Sequence, residues 1–111
     1  MHSVRGGIVA MPVVFFLNKL HEGVTDYEQW VREVDYPTAR ALKTITSYVV
    51  ARTPTTLEGD PSPYDYVERV EVTDIDAYRQ ELAGAEGMEE FFQQWSARVG
   101  ESVAIFGDEI E

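Results

Sequence analysis

The order of apolar segments along the chain constrains its fold more than any other feature. Four segments rich in β-branched and aromatic residues predict strands, at 13–20, 45–52, 64–72 and 103–106. Apolar residues at helical spacing predict helices over 25–36, 73–82 and 88–99, with glycines interrupting the last two. The predicted order is therefore β-α-β-β-α-β.

That order, in a chain of 111 residues, predicts one α+β domain with a ferredoxin-like sandwich, in which helices cover one face of a four-stranded antiparallel sheet. We assign residues 12–111 to this domain and expect residues 1–11 to form a flexible N-terminal arm.

Composition excludes several classes of function. The formal net charge of -11 would repel nucleic acid and anionic membrane lipids, so we expect neither as a partner. The chain has no cysteine, which fits a cytoplasmic location and excludes thiolate chemistry. Its two histidines, His2 and His21, do not form a recognisable metal site, and we expect no metal. No glycine-rich phosphate loop or nucleophile elbow is present.

The predicted sheet is apolar on both faces. In the first strand, Val13, Phe15 and Leu17 alternate with Val14 and Phe16. The second strand offers Tyr48 and Val50 on one face and Ile45, Val49 and Ala51 on the other. A sheet with helices on one side only should be polar on its other face. We therefore expect a second copy of the chain to cover that face, giving a homodimer.

The segment from 25 to 42 predicts a helix that meets a proline. Thr25 and Glu28 have the spacing of a capping box. Pro37 is expected to stop or kink the helix and to push Tyr36 out of helical geometry, because proline restricts the residue before it. Polar groups at such a break are candidates for function.

The residues REVDYP at 32–37 resemble the REDY-like branch of the dimeric α/β-barrel superfamily. The opening at 23–25, Trp30 and a helix ending at a proline are similar to the EthD-like branch, although Asp35 stands where those members usually carry histidine. Histidine-dependent chemistry is therefore not carried over to that position. The resemblance implies binding of hydrophobic, often aromatic or polyketide-like molecules and reactions that need neither metal nor organic cofactor.

Asp35, Tyr36 and His21 are the candidate catalytic residues. Burial of Asp35 beside an apolar cleft would raise the pKa of its carboxyl and suit it to proton transfer. Tyr36 could hold an enolate or phenolate oxygen, and His21 could act as an acid or base. Glu33, Arg32 and Arg40 belong to the same candidate group as Asp35 and Tyr36. The alternative is structural: Asp35 and Arg40 fasten the helix break, and Glu28 with Arg32 forms an i,i+4 pair on the helix surface.

The expected substrate-binding residues are mostly aromatic; they are Phe16, Trp30, Tyr48, Tyr66 and Arg40. Aromatic residues in strands are more usually part of a core or an interface, and the two interpretations are compatible. The sequence thus favours a homodimeric, cofactor-free enzyme that performs acid–base chemistry such as cyclisation, isomerisation or lyase-type cleavage on a small apolar molecule. The alternative is a non-catalytic accessory protein that sequesters such a ligand.

Overall fold

The computed structural model describes residues 11–110 and, for the backbone alone, the short strands β1 (Val4–Arg5) and β2 (Ile8–Val9), which pair with each other antiparallel. The predicted flexible arm, residues 1–11, lies largely outside the described residues and stays a prediction.

The remaining strands are β3 (Pro12–Leu20), β4 (Ile45–Arg52), β5 (Tyr66–Val72) and β6 (Val99–Asp108). They form one antiparallel sheet in the order β4-β5-β3-β6. The helices are α1 (Tyr27–Trp30), a π-helical stretch (Val31–Asp35), α2 (Tyr36–Arg40), α3 (Ile75–Gly84) and α4 (Met88–Ser96). This is the ferredoxin-like α+β fold that the sequence predicts.

The start of the first helix differs from the prediction. Asp26, not Thr25, precedes the first helical residue, and no side chain caps that end. The predicted capping box is wrong because Glu28 binds elsewhere. Its carboxylate accepts two hydrogen bonds from Arg52, one of them 2.6 Å long, and a third from the Tyr66 hydroxyl.

Pro37 neither ends the helix nor displaces the residue before it. Tyr36 has helical backbone angles (φ -57°, ψ -50°), so that expectation is wrong. The Tyr36 N–H donates to the carbonyl of Val31, five residues back, which is the π-helical pattern. The π-helical stretch ends at Asp35, and the Pro37 ring then occupies the first turn of α2, where its missing N–H costs least.

The helices pack on one face of the sheet. The main core cluster joins Val14, Tyr48, Val70 and Val72 of the strands to Ala39 of α2 and Tyr78 of α3. Ile45 packs against this same cluster, although alternation places it on the opposite face from Tyr48. The register of β4 shifts between Ile45 and Ser47, and this irregularity reverses the direction of the Ile45 side chain.

The other face of the sheet carries apolar residues that none of the described helices covers. Val103 and Ile105 of β6 are about half exposed, as is Val49 of β4. Arg69 lies between these apolar residues and binds Glu71 and Glu109. Among the described residues, no helix is long and apolar enough to cross a membrane.

Candidate active site

A cavity of about 100 Å³ lies between the helices and the covered face of the sheet. This is the same order of size as the apolar cavities of about 150 Å³ that bind benzene. Phe92 lines the cavity and is also 37% exposed, which indicates an outlet beside α4. Most of the lining is apolar: Phe16, Ala39, Leu42, Ile45, Tyr78, Leu82, Met88, Phe91, Phe92 and Trp95. The polar lining residues are Asp35, Thr38, Tyr48 and Glu68.

Asp35 is the last residue of the π-helical stretch and is only 1% exposed. The hydroxyl of Tyr48, from strand β4, lies 2.8 Å from Oδ1 and 2.9 Å from Oδ2 of its carboxyl group. The π-helical stretch thus brings an acidic side chain onto the sheet. Among the described residues, neither Arg40 nor any other cation contacts it.

Glu68 is a second buried carboxyl group in the same cavity, and it is 4% exposed. Its Oε1 lies 2.9 Å from the Tyr48 hydroxyl, and its Oε2 accepts a hydrogen bond of 2.6 Å from the side-chain amide of Asn18. The carbonyl oxygen of that amide accepts a bond from Ser102. Tyr48 therefore bridges two acids, and Asn18 and Ser102 fix the orientation of one of them.

The hydrogen-bond geometry requires a shared proton. The Tyr48 hydroxyl carries one hydrogen, which it can donate to only one of the two carboxyl groups. The other carboxyl group makes an attractive contact with the hydroxyl oxygen only if it carries a proton itself. With one added proton, Asp35, Tyr48 and Glu68 form a continuous chain with a net charge of -1.

Burial raises the pKa of both acids. The pKa of Asp35 rises from 3.8 to about 7, mainly through loss of solvent and then through the nearby Glu68 charge, while the Tyr48 hydrogen bond opposes the rise. Burial likewise raises the pKa of Glu68, against hydrogen bonds from Tyr48 and Asn18. A carboxyl group with a pKa near neutrality can both donate and accept a proton at working pH.

Three of the predicted site residues meet in this cavity: Asp35, Tyr48 and Phe16. Tyr36 and Arg40 lie beside the outer edge of β4. The Tyr36 hydroxyl accepts from the Val50 N–H at 3.0 Å, and Arg40 stacks on the Tyr36 ring and donates to the Tyr48 carbonyl. These two side chains satisfy the backbone of an edge strand.

Tyr66, Trp30 and His21 also lie outside the cavity. Tyr66 joins Glu28 and Arg52 in a second, more polar cleft. Trp30 is buried in the core cluster of the first helix, where its indole N–H donates to Gln94. The His21 ring contacts the carbonyl of Ser96 and packs so closely on Gly100 that a Cβ there would lie 2.9 Å from Nδ1.

The charged neighbours of Asp35 in sequence lie on the surface. Arg32 pairs with Glu28 at 3.9 Å, which confirms the predicted i,i+4 pair, and Glu33 accepts a hydrogen bond from Gln29. Neither Arg32 nor Glu33 joins the buried acids, because both side chains point away from the sheet.

Sequence reasoning missed Glu68 and Asn18, although strand alternation contains the signal. Glu68 lies on the same face of its strand as Tyr66, Val70 and Val72, because alternate residues of a strand share a face. This places a carboxyl group within an apolar row. Asn18 similarly follows Val14 and Phe16. The cavity-lining residues of α3 and α4 gave no such polar signal. Their aromatic side chains follow the helical spacing that is ordinary for core residues.

In the described part of the chain, no cluster of three or more His, Cys, Asp or Glu side chains could hold a metal ion. Asp35 and Glu68 are the two acids at the cavity, and each is already bound to the Tyr48 hydroxyl. The donor set at the cavity thus suits proton transfer to or from a bound molecule.

Comparison with known proteins gives a family match and several solved structures with the same fold. Residues 12–110 match the family described as REDY-like protein HapK. No curated protein matches the chain in sequence. The solved structure of HapK from Hahella chejuensis is 24% identical, with a TM-score of 0.74 over 90% of this chain and 93% of that chain.

Two further structures share the fold at lower identity. An EthD family protein from Bacillus halodurans is 14% identical, with a TM-score of 0.72 over 90% of this chain and 99% of that chain. A protein from Thermobifida fusca, described as a dimeric ferredoxin-like protein, is 15% identical, with a TM-score of 0.66 over 97% of this chain and 100% of that chain. The match over residues 12–110 confirms the resemblance predicted from the REVDYP segment: the chain belongs to the REDY-like HapK family.

Proposed function

We propose that this protein binds a small apolar or aromatic molecule in the cavity and performs cofactor-free acid–base chemistry on it, with Asp35 as the proton donor or acceptor. The observation that carries the proposal is the Asp35–Tyr48–Glu68 chain in the wall of an otherwise apolar cavity. Cyclisation, isomerisation and lyase-type cleavage are the reaction types that such a site could support.

In this proposal Tyr48 takes the supporting role that the sequence suggested for Tyr36. The Tyr36 hydroxyl is held by the backbone of Val50, whereas the Tyr48 hydroxyl contacts Asp35 directly. When Asp35 gives its proton to a ligand, the Tyr48 hydroxyl can stabilise the new carboxylate by turning its one hydrogen from Glu68 to Asp35. Burial, and after it the charge of Glu68, raises the pKa of Asp35 and so keeps the proton available near neutrality.

The proposal includes a homodimer. The uncovered face of the sheet carries Val49, Val103 and Ile105, and apolar surface of this kind is stabilised by a partner. The dimeric Thermobifida fusca relative supports the same assembly. We also infer a cytoplasmic location, which agrees with the absence of cysteine from the sequence.

A non-catalytic binding role is the second candidate, and one observation favours it. Tyr48 contacts both oxygens of Asp35, so the carboxyl group is held by the protein itself. A protein that only sequesters an apolar ligand would have the same apolar walls and would use the two acids to keep Tyr48 in place.

Exchange of carbon-bound hydrogen of the ligand for deuterium distinguishes the two roles even while the reaction is unidentified. Native mass spectrometry of the purified protein would identify the bound molecule, which is then incubated in D₂O with the wild type or with Asp35→Asn. An enzyme is expected to incorporate deuterium at a carbon of the ligand, and Asp35→Asn should slow this by about a hundredfold or more. Equal incorporation with both proteins would exclude Asp35, and none above buffer with the wild type would favour sequestration.

A further inference from the structure

The two buried acids of the cavity have no positively charged partner among the described residues. Within the part of the chain that the structure describes, neither Asp35 nor Glu68 is in a salt bridge, and the cavity lining contains no Lys, Arg or His. With one shared proton, the pair still carries a charge of -1 on two side chains that are only 1% and 4% exposed. A buried charge without a partner is costly, and buried charges in proteins are normally paired.

The other titratable groups that face the pair cannot supply the missing charge. Tyr27 of α1 and Tyr78 of α3 are phenols, and burial together with the negative charges of Glu68 and Asp35 raises the pKa of each. Both therefore stay neutral. Asn18 of β3 and Ser102 of β6 are neutral as well, and they already bind each other.

The walls of the cavity are suited to a cation. Aromatic side chains of Phe16, Tyr78, Phe91 and Trp95 come from the sheet and from both helices of the second half of the chain. The face of an aromatic ring attracts a cation within about 6 Å, most strongly when water is excluded. Aromatic rings with two carboxyl groups at one end match an aromatic molecule that ends in a charged nitrogen.

We propose that the ligand of this cavity carries a positively charged nitrogen, as in an aryl-alkyl amine or a protonated nitrogen heterocycle, which binds at Asp35 and Glu68. This inference rests on the proposed small-molecule function and names the ligand class of the same cavity. The N–H groups of the ligand donate to the carboxyl oxygens, and its ring lies among the aromatic walls. Binding supplies the positive charge that the protein itself lacks at this place.

Three probes of one shape test the inference by calorimetric or NMR titration of the full chain: benzylammonium, benzyl alcohol and benzoate. We expect benzylammonium to bind about tenfold or more tightly than benzyl alcohol, because hydrogen bonds to charged groups are stronger than neutral ones. Benzoate should not bind measurably. The affinity for benzylammonium should rise with pH as the pair loses its proton, up to the pKa of the amine.

Two variants remove the charge, and a third serves as their control. Glu68→Gln and Asp35→Asn should each abolish most of the preference for the cation. Glu71→Gln changes the net charge by the same amount on the same strand, but Glu71 lies on the opposite face and binds Arg69. It should keep the full preference.

The outcomes distinguish this inference from the proposed function. Equal affinities for benzyl alcohol and benzylammonium, or a cation preference that survives in both Glu68→Gln and Asp35→Asn, would overturn the cationic ligand and leave an apolar cavity standing. Failure of all three probes to bind would overturn both proposals.

Discussion

The hydroxyl oxygen of Tyr48 lies 2.8 Å and 2.9 Å from the two carboxyl oxygens of Asp35, and it is their one hydrogen-bond partner among the described residues. The same hydroxyl contacts Glu68 at 2.9 Å. A single phenol thus joins two acids that are far apart in sequence, one from the first helix and one from β5. Because the phenol has one hydrogen, the arrangement ties the proton content of the two acids together.

Tyr48→Phe should therefore disturb both acids. The variant leaves two buried carboxyl groups without this partner, and we expect a loss of about 1–3 kcal/mol in the free energy of unfolding. The pKa of Asp35 should rise further, because the Tyr48 hydrogen bond lowers it in the wild type. Urea denaturation at neutral pH measures the first effect. Tyr64→Phe, which removes a hydroxyl that contacts neither acid, should leave stability almost unchanged; equal losses in the two variants would contradict the bridging role.

The free energy of unfolding should fall as pH rises towards neutrality. Asp35 has a pKa of about 7 in the folded protein against an ordinary value of 3.8, so the folded state binds more protons between these two values. Stability contributed by the protonated group is complete below 3.8 and is lost as pH rises through about 7. The full effect is roughly 4 kcal/mol if Asp35 titrates alone.

Asp35→Asn should flatten this dependence, since asparagine does not titrate. Denaturation curves between about pH 5 and about pH 8 would show the reduced slope. The matched control is Glu33→Gln, which removes an acid from the same π-helical stretch that lies outside the cavity and should keep the slope of the wild type. The same slope in Asp35→Asn as in the wild type would contradict the raised pKa.

Arg52→Ala should raise the pKa of Glu28, which is held low in the wild type. Hydrogen bonds from Arg52 and Tyr66 lower the pKa of Glu28 from 4.5 to about 2, and the loss of Arg52 should return it most of the way. The stability linked to Glu28 is present above 4.5 and is lost as pH falls towards 2. NMR titration of the glutamate carboxyl carbons measures the change. Arg32→Ala should shift the Glu28 pKa much less, because the Arg32 contact is longer, at 3.9 Å.

Ile105→Lys should break the proposed dimer. Ile105 is 55% exposed on the uncovered face of β6, and a lysine there would place a charge within an apolar interface. We expect the dissociation constant of the dimer to rise by at least about tenfold in sedimentation velocity. Leu57→Lys, at a loop residue that is 99% exposed, should keep the assembly of the wild type. A wild-type monomer at micromolar concentration would contradict the dimer itself.

The strands and their order were predictable because strand residues alternate and turn residues separate them. Strand β4 has the predicted bounds, 45–52, and β3 differs from its prediction by one residue. The last strand is longer than its apolar core at 103–106 suggests, since β6 runs from Val99 to Asp108 and pairs with β3 beyond both ends of that core. Backbone pairing with a neighbouring strand extends an element beyond what side-chain pattern can show.

The site was predictable only in part. Asp35 stood out because a charged residue preceded a proline within an apolar helix. Its partner Tyr48 was assigned to ligand contact, and the hydrogen bond between them depends on how the helix crosses β4. Glu68 comes to the same place from a third element, 33 positions after Asp35 in sequence, and no local pattern joins the two. Local rules also failed at Tyr36, where the π turn allows helix geometry directly before a proline.

The proposed chemistry depends most on Asp35 holding a proton near neutral pH. The direct measurement is an NMR titration of the folded protein with carbon-13 in its aspartate side-chain carboxyl groups, assigned with Asp35→Asn. We predict a midpoint of about 7 for the Asp35 resonance. A midpoint near the ordinary value of 3.8 would contradict the shared proton and the acid–base role that depends on it.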